Sequence, residues 1–368
     1  MGRNCFLKDC LMFEYPDIQL DFKLAPKTDA SVFLHESVTP LNLDVTGPFV
    51  RNIQGDIISI GDRKSFLSEN EGRTWQVNDL FLNENWLVQD THSLCCTKDG
   101  VLVLCFLNMA NAHFNWVNKT NLPTKNTRLD LCVVRSLDGG KTWLKPTVIQ
   151  QGYCGATTSM IELSDGRILV SAQNLNYLEG RHFSLTYCSD DQGKTWQASN
   201  FLDIGGRGHH GGCYEGTLVE LNDGKIWYCI RTNQDYFWDA YSNDNGNSWT
   251  SVSPGRRASS SPAMLTRLYS GRIMMVFNQL HLADEQTVER VSGQYSEVKA
   301  SWQREELSVC FSEDDAVTWT KPMVIASCKG AWLSYPYVFE KAPGIIWLTT
   351  MQSQLKMQFN EKDLLASG

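Results

Sequence analysis

A glycine-rich segment in the middle of the chain concentrates side chains that can transfer protons. Residues 205–215 read Gly-Gly-Arg-Gly-His-His-Gly-Gly-Cys-Tyr-Glu, so that Arg207, His209, His210 and Glu215 fall within nine positions. Histidine titrates near neutral pH, and glycine allows the backbone to approach a ligand closely. The alternative is a flexible loop in which the histidines only cap backbone groups and Glu215 forms a surface ion pair. Because so many ionisable groups accompany the glycines, we favour a functional loop.

A repeated turn phrase indicates which elements position this loop. The pattern Ser-x-Asp/Asn-x-Gly-x-Thr/Ser-Trp occurs five times, with Ala316 replacing glycine in the last copy. The Asp or Asn side chain can bond backbone amides, glycine takes a positive φ, and tryptophan can be buried between sheets. The copies span residues 68–75, 136–143, 189–196, 242–249 and 312–319. Five copies at similar spacings indicate a repeat architecture.

A second repeat supplies the strands around each turn phrase. Before each of the last four copies, two β-rich runs flank a tight turn of the Asp-Gly type, with Ser-Gly in the last case. Asp-Gly between alternating apolar runs is a strong hairpin signal, so each unit is predicted to contain four strands. The units cover about 45–80, 90–150, 155–200, 213–255 and 260–327, followed by a partial unit over about 335–359.

The partial unit has no turn phrase, so we expect residues from about 10 to 45 to return and complete it. The sequence therefore predicts one domain over 1–368 with an all-β fold, a six-bladed β-propeller of four-stranded antiparallel blades closed by the N- and C-terminal strands. Insertions at 107–128, 203–213 and 281–303 are predicted to meet at one face, where loops usually carry the functional site.

The order of four polar residues along these repeats resembles the sialidase (neuraminidase) superfamily, and the resemblance covers nearly the whole chain. Sialidases carry a Glu at the start of a blade strand, then an Arg after the hairpin of that strand, then a turn phrase. Glu215 and Arg231 stand in that order before the fourth copy. A further Arg before a later copy is matched by Arg304, and a Tyr some thirty residues on is matched by Tyr335.

This resemblance implies an exo-acting glycoside hydrolase that removes a terminal acidic sugar, sialic acid or a related one, from a glycan. Tyr335 would be the nucleophile, because the anomeric carbon bears a carboxylate that repels an anionic attacker. Glu215 would take the phenol proton, and Arg231 and Arg304 would hold the substrate carboxylate. Further candidate contacts with the sugar are Arg207, Tyr337 and Trp238, although packing at the rim is the alternative for Trp238.

Two groups that sialidases possess are absent from the corresponding places. The strand that should begin with Arg-Ile-Pro reads Gln-Asp-Thr-His-Ser-Leu over 89–94, and residues 108–128, where the acid aspartate is expected, contain no Asp or Glu. The candidates for the missing arginine are Arg207 and Arg51, and those for the missing acid are His209, His210 and His113.

Other functions also fit this set of residues. A His–Tyr–Arg group without an acidic catalyst suits a polysaccharide lyase, whose unsaturated product would absorb ultraviolet light. A hydrolase acting on another sugar, uronic or neutral, is a second alternative. The third is a non-catalytic propeller that binds glycans or a protein; the two absent groups favour it, whereas the dense His-His-Glu loop disfavours it.

Composition limits the partners that we expect. The net charge of −8 without a basic run argues against nucleic acid, and no stretch approaches the ~18 apolar residues of a membrane helix. Most of the twelve cysteines lie in apolar strand patterns without zinc-site spacing, which favours buried free thiols in a reducing compartment. The first residues show no charged start followed by an apolar segment, so we expect no secretory signal, with secretion as the alternative. We expect a cytoplasmic protein that binds a glycan or an acidic monosaccharide and uses no metal or cofactor.

Overall fold

The structure, a computed structural model, describes residues 32–117, 119–120, 122–282, 298 and 300–367. Two short strands come first, β1 (Phe33–Leu34) and β2 (Val38–Pro40). Blade one contains β3 (Phe49–Arg51), β4 (Ile57–Gly61), β5 (Lys64–Ser68) and β6 (Gln76–Asp79). Blade two contains β7 (Ser93–Cys96), β8 (Leu102–Leu107), β11 (Leu131–Ser136) and β12 (Thr147–Gln150), with the hairpin β9 (Trp116–Val117) and β10 (Leu122–Pro123) inserted.

The remaining four-stranded units follow in chain order. Blade three contains β13 (Met160–Glu162), β14 (Ile168–Asn176), β15 (Arg181–Ser189) and β16 (Gln197–Ala198). Blade four contains β17 (Cys213–Glu220), β18 (Ile226–Thr232), β19 (Tyr236–Ser242) and β20 (Thr250–Arg257). Blade five contains β21 (Met264–Arg267), β22 (Ile273–Phe277), β23 (Glu306–Ser312) and β24 (Met323–Ser327). Blade six contains β25 (Pro336–Ala342), β26 (Ile345–Thr350) and β27 (Lys356–Asn360), and the helix α1 (Glu361–Ala366) follows it.

The N-terminal part of the described chain closes the propeller. Strand β2 pairs antiparallel with β27, with Val38 opposite Phe359, and so becomes the fourth strand of blade six. Strand β1 pairs with β24 and adds a fifth strand to blade five. The predicted fold, six antiparallel blades closed by both ends of the chain, is therefore confirmed. The part of the predicted closing segment before residue 32 lies outside the described residues.

The turn phrases are built by local hydrogen bonds, as their residue types predict. In the second copy, Ser136 Oγ accepts from the amide of Gly140 at 2.9 Å, and Asp138 Oδ1 accepts from the amide of Thr142 at 2.9 Å. Gly140 has a φ of +97°, a conformation that costs an L-residue about 1–2 kcal/mol. In the fifth copy Ala316 takes this conformation, with a φ of +71°, and its amide still donates to Ser312 Oγ.

The seam between the first and last blades is packed by apolar side chains. A buried cluster joins Phe49 and Ile57 of blade one to Phe339 and Trp347 of blade six. Gly72, in the turn phrase of blade one, lies so close to Trp347 that an added Cβ would be 2.6 Å from Cη2 of the indole. The ring of blades is therefore closed by side-chain packing as well as by the β2–β27 pairing.

The strand directions define two ends of the propeller. The first strand of each blade starts, and the second strand ends, at one end; the turn phrases follow third strands and lie at the other end. All ten described cysteines are free thiols and nine of them are buried, as predicted. Among the described residues, no helix has the length and apolar character needed to cross a lipid bilayer.

Candidate active site

A cavity of about 100 Å³ opens at the end of the propeller where the first strands begin. Its walls come from strand ends and loops of blades two to six, including residues from each of the three insertions. Six of the residues proposed from the sequence line this cavity together: His209, His210, Glu215, Arg231, Arg304 and Tyr335.

Glu215, Arg231 and Tyr335 form a hydrogen-bonded cluster in this cavity. The Tyr335 hydroxyl donates to Glu215 Oε1 at 2.8 Å. Arg231 Nη1 donates to Tyr335 Oη at 3.0 Å and also to Glu215 Oε2. Only 3% of the Arg231 side chain and 9% of the Glu215 side chain are exposed, so the ion pair between them is shielded from water. A base and a cation thus both contact the phenol oxygen.

Local backbone features aim the side chains of this cluster. The pairing of β17 with β18 shifts register between Cys213 and Gly216, which places an irregularity of the bulge type at Glu215. Arg231 lies near the end of the neighbouring strand β18. Tyr335, directly before β25, has a φ of +58°, a conformation that is rare for an aromatic residue. Such strained residues concentrate at functional sites, because there the geometry of the side chain matters more than local stability.

Arg304 is a second cation close to Tyr335. Its Nη2 donates to the Ser260 carbonyl at 2.7 Å and its Nη1 to Gln352 Oε1 at 3.0 Å. Its guanidinium carbon is 5.9 Å from the centre of the Tyr335 ring. Burial raises the pKa of Tyr335 and the charge of Glu215 adds to this effect, whereas Arg231 and Arg304 oppose it. The two cations would therefore stabilise a Tyr335 phenolate once its proton had passed to Glu215.

The histidine pair forms an aromatic wall of the cavity. The His209 ring packs edge to face on Phe114 at 5.0 Å and on His182 at 5.2 Å, and the His210 ring packs on Trp302 at 5.1 Å. Burial lowers the pKa of His209 well below its usual range, and the neighbouring histidines and Arg231 act in the same direction. Burial, with the charge of Arg231, lowers the pKa of His182 to about 3. His209 and His182 are therefore uncharged near neutral pH.

Three residues predicted to contact substrate are not brought to the cavity. Trp238 is half-buried within β19, opposite Ile230 of β18, and does not line the cavity. Arg207 is exposed, and its Nη2 donates to the Thr120 carbonyl at 3.3 Å. Tyr337 is buried and donates to the carbonyl of Asp90. These three residues lie outside the wall of this cavity, and their part in substrate binding stays a prediction.

Two alternatives for the missing groups also lie elsewhere. Arg51 ends β3, at the opposite end of the propeller, and pairs with Glu71 at 2.8 Å. His113 is exposed, and its Nε2 lies 2.7 Å from Asn126 Nδ2. Neither side chain is in the cavity wall.

Sequence reasoning missed several residues of the wall. Asp90 lies where the sialidase pattern has Arg-Ile-Pro, and it lines the cavity together with Gln173, His182 and Gln352. Asp90 lies three residues before the first strand of its blade, and Tyr335 lies directly before the first strand of blade six; this similar position could have identified Asp90. Within the described chain, no group of His, Cys, Asp and Glu has an arrangement suited to a metal ion.

Comparison with known proteins agrees with this architecture. The profile of the BNR repeat-like domain family matches residues 68–348. A sialidase from Clostridium perfringens is 24% identical over 214 residues, a match that spans 52% of this chain and 53% of that protein. The chain therefore spans about half the length of this curated relative.

Two solved structures share the fold. A protein of unknown function from Dyadobacter fermentans superposes with a TM-score of 0.61 at 16% identity, covering 90% of this chain and 98% of that one. Trypanosoma rangeli sialidase, in complex with 2,3-difluorosialic acid as a covalent intermediate, superposes with a TM-score of 0.56 at 16% identity, covering 90% of this chain and 59% of that one. With more than half of its residues matched by the family profile, the chain belongs to the BNR repeat-like domain family.

Proposed function

We propose that the protein is an exo-acting glycoside hydrolase of the sialidase type, which removes a terminal acidic sugar from a glycan. The observation that carries this proposal is the contact of one phenol oxygen with a carboxylate and a guanidinium, Glu215 at 2.8 Å and Arg231 at 3.0 Å. An ordinary phenol is protonated at neutral pH, and a base within hydrogen-bond reach activates it as a nucleophile.

The reaction would proceed in two displacements. Glu215 takes the proton of Tyr335 as the phenol oxygen bonds to the anomeric carbon and the bond to the leaving oxygen breaks. Arg231, which contacts both groups, stabilises the negative charge as it passes between them. The oxygen of a water molecule then bonds to the anomeric carbon as the glycosyl–tyrosine bond breaks, and Glu215 returns the proton to Tyr335. The proton that this water loses makes up for the one that the leaving oxygen gained. Two displacements at one carbon leave its configuration retained.

An acidic sugar suits the charges around Tyr335. Arg231 and Arg304 are both almost fully buried at the cavity wall, and guanidinium groups bind carboxylates bidentately. A substrate carboxylate placed between them would neutralise charge that the protein keeps away from water. The cavity opens at one end of the propeller, an arrangement that suits a terminal residue of a glycan. Membership of the family and the fold shared with a sialidase support the same proposal.

Covalent trapping tests this proposal directly. The protein would be incubated with 2,3-difluorosialic acid, and intact mass and peptide mapping would locate any adduct. We expect one adduct per chain on the peptide that contains Tyr335, and none in Tyr335→Phe. A thermal-shift screen with sialic acid, its dehydrated analogue, Kdn, Kdo and uronic acids would run in parallel.

The outcomes separate the candidate functions. Stabilisation by another acid, with an adduct from the matching fluorinated sugar, would keep the hydrolase and change its sugar. An unsaturated product that absorbs ultraviolet light would instead identify a lyase. A protein that binds a glycan, forms no adduct and turns over no substrate would be a binding propeller.

A further inference from the structure

A second cavity adjoins the first at Asp90. It has a volume of about 260 Å³ and lies between blades one and six. Gln89, Asp90 and Met351 line both cavities, so these residues form the boundary between them. The second cavity opens at the same end of the propeller, because Gly61 at the end of β4 and Gln354 after β26 both line it.

The wall of the second cavity is polar and carries no basic side chain of Lys or Arg among the described residues. Thr46, Ser59 and Gln354 offer groups that can bond hydroxyls, and Phe66 offers an aromatic face. Asp44 and Asp62 add carboxylates that would repel an anion. This chemistry suits an uncharged, hydroxyl-rich group such as a neutral sugar.

The backbone of Asp90 is held close to the strand that follows the nucleophile. The Tyr337 hydroxyl donates to the Asp90 carbonyl, and Tyr337 lies two residues after Tyr335. On the other side, the Gln89 carbonyl accepts from the His92 ring at 3.0 Å. These bonds use only the backbone of residues 89 and 90, and Asp90 lines both cavities.

We propose that Asp90 is the proton donor to the leaving group, and that the second cavity binds this leaving group as an uncharged sugar. The inference rests on the proposed function. In a glycosidase the bond that breaks lies between the sugar in the first cavity and the leaving group outside it, and Asp90 lies at that boundary. Among the described residues of the first cavity, the carboxyl groups are those of Asp90 and Glu215, and Glu215 is already paired with Tyr335 and Arg231.

The step balances without a further reactant. The Asp90 carboxyl gives its proton to the glycosidic oxygen as the bond from that oxygen to the anomeric carbon breaks, and the sugar is transferred to Tyr335 Oη. In the second displacement the Asp90 carboxylate takes a proton from the attacking water. The new oxygen–carbon bond forms as the bond to Tyr335 breaks, and Asp90 is again protonated.

The electrostatic surroundings of Asp90 agree with this role. Asp90 is exposed in the cavity wall, yet partial loss of water around its carboxyl raises its pKa, and the charge of Asp62 in the β4–β5 turn adds to the effect. Other ionisable groups line the two cavities together with Asp90. In the second cavity they are Asp44, Asp62, His92 and Tyr337, and in the first cavity Arg128, Tyr153, His182, His209, His210, Tyr214, Glu215, Arg231, Arg304 and Tyr335. The low pKa of His209 leaves that ring as a neutral imidazole near neutral pH, and a neutral imidazole is a poor acid. Asp90 therefore suits the role better than His209.

The test compares leaving groups in Asp90→Asn. Methylumbelliferyl sialoside releases a stable phenolate and needs little acid assistance, whereas sialyllactose releases a sugar alkoxide and needs a proton. We expect kcat/KM for sialyllactose to fall about 10²- to 10⁴-fold, the usual contribution of general acid catalysis. For the aryl substrate we expect a far smaller fall in kcat/KM, because its first displacement needs little acid assistance. Azide should yield a glycosyl azide, and the basic limb of the pH–rate profile should disappear. The control Asp223→Asn makes the same change in the exposed β17–β18 turn and should match the wild type.

The results separate this inference from the proposed function. Equal losses on both substrates, or no loss on either, would overturn the role of Asp90 while Tyr335 could still be labelled by 2,3-difluorosialic acid. A wild-type protein that is neither labelled nor active on either sialoside would refute the proposed function, and the role of Asp90 with it. Unchanged thermal unfolding of Asp90→Asn would show that the loss is chemical, since the backbone bonds at residue 90 survive the substitution.

Discussion

The hydroxyl of Tyr335 lies 2.8 Å from Glu215 Oε1, although 120 residues separate the two along the chain. Tyr335 precedes the first strand of blade six and Glu215 lies in the first strand of blade four. The propeller brings these two positions to one cavity, because every first strand starts at the same end. The contact therefore depends on the propeller fold, and mutating either residue tests whether the protein is an enzyme.

Tyr335→Phe should abolish hydrolysis and leave the fold intact. The substitution removes the nucleophilic oxygen but keeps the ring, and the Glu215–Arg231 ion pair survives. The hydrogen bonds of the hydroxyl with Glu215 and with Arg231 are both lost, at about 0.5–1.5 kcal/mol each, which urea unfolding would measure. Tyr187→Phe is the matched control, because it also deletes a buried hydroxyl. That hydroxyl donates to Gln150 Oε1 at a distance of 3.1 Å, and neither residue lines the cavity. Full turnover in Tyr335→Phe would disprove the nucleophile.

Glu215→Gln should reduce both turnover and stability. Without the carboxylate no base contacts the phenol, so kcat should fall about 10²- to 10⁴-fold. The guanidinium of Arg231 would also stay buried without its counter-charge, at a cost of about 3–5 kcal/mol. Adding Arg231→Met should recover part of that stability and none of the turnover, whereas Glu220→Gln, later in the same strand, should change neither. If Glu215→Gln unfolds at the wild-type urea concentration, the ion pair is not buried in the way described.

The fold could be predicted from the sequence because its signals are local. Each turn phrase closes its hydrogen bonds within eight residues, as Ser136 and Thr142 show, and each hairpin turn lies between its own two strands. Four of the catalytic candidates could be placed because they keep a fixed order relative to those turns. Arg207 and Trp238 could not be placed, since the direction of a loop or strand side chain depends on its packed neighbours.

The rest of the site depends on contacts between blades. Asp90 becomes a wall residue only because blades one, two and six meet beside it, and Tyr337 of blade six holds its carbonyl. His182 joins the aromatic wall through His209 of the next insertion, at 5.2 Å between ring centres. Neither the contact of Asp90 with Tyr337 nor that of His182 with His209 corresponds to a motif in the sequence around these residues.

Arg304→Met should weaken binding of an acidic sugar. A charge-assisted hydrogen bond contributes about 1.5–3 kcal/mol, which corresponds to a 10- to 100-fold increase in Kd. Calorimetry with sialic acid and its dehydrated analogue would measure the change. Arg267→Met, which removes a guanidinium paired with Asp315 at the other end of the propeller, should leave both Kd values unchanged. Equal binding by wild type and Arg304→Met would show that the substrate carboxylate lies elsewhere.

Gly72→Ala should destabilise the closure of the ring more than Gly55→Ala does. Both glycines have positive φ, +84° and +94°, so alanine at either position costs about 1–2 kcal/mol of backbone strain. The new methyl group at residue 72 would also lie 2.6 Å from Trp347, whereas residue 55 has open space. We expect an additional loss of about 1–3 kcal/mol for Gly72→Ala in urea unfolding. Equal losses would mean that the seam accommodates the methyl group by moving Trp347.

Acid should destabilise the protein through its buried histidines. Burial lowers the pKa of His92 to about 4 from the ordinary 6.5, which the unfolded chain retains. As the pH falls below 6.5 the unfolded chain binds a proton that the folded chain does not, so stability is lost until the pH reaches about 4. Over this window His92 alone accounts for on the order of 3 kcal/mol. His182, with its pKa of about 3, acts in the same direction.

His92→Asn isolates this contribution, because asparagine keeps a donor for the Gln89 carbonyl and cannot be protonated. Urea unfolding at about pH 7.5 and about pH 4.5 should show a smaller decline in stability for this variant than for the wild type, by on the order of 2–3 kcal/mol. His113→Asn makes the same change at an exposed histidine and should decline in parallel with the wild type. Parallel declines for His92→Asn and the wild type would instead mean that His92 takes up its proton in the folded protein at ordinary pH.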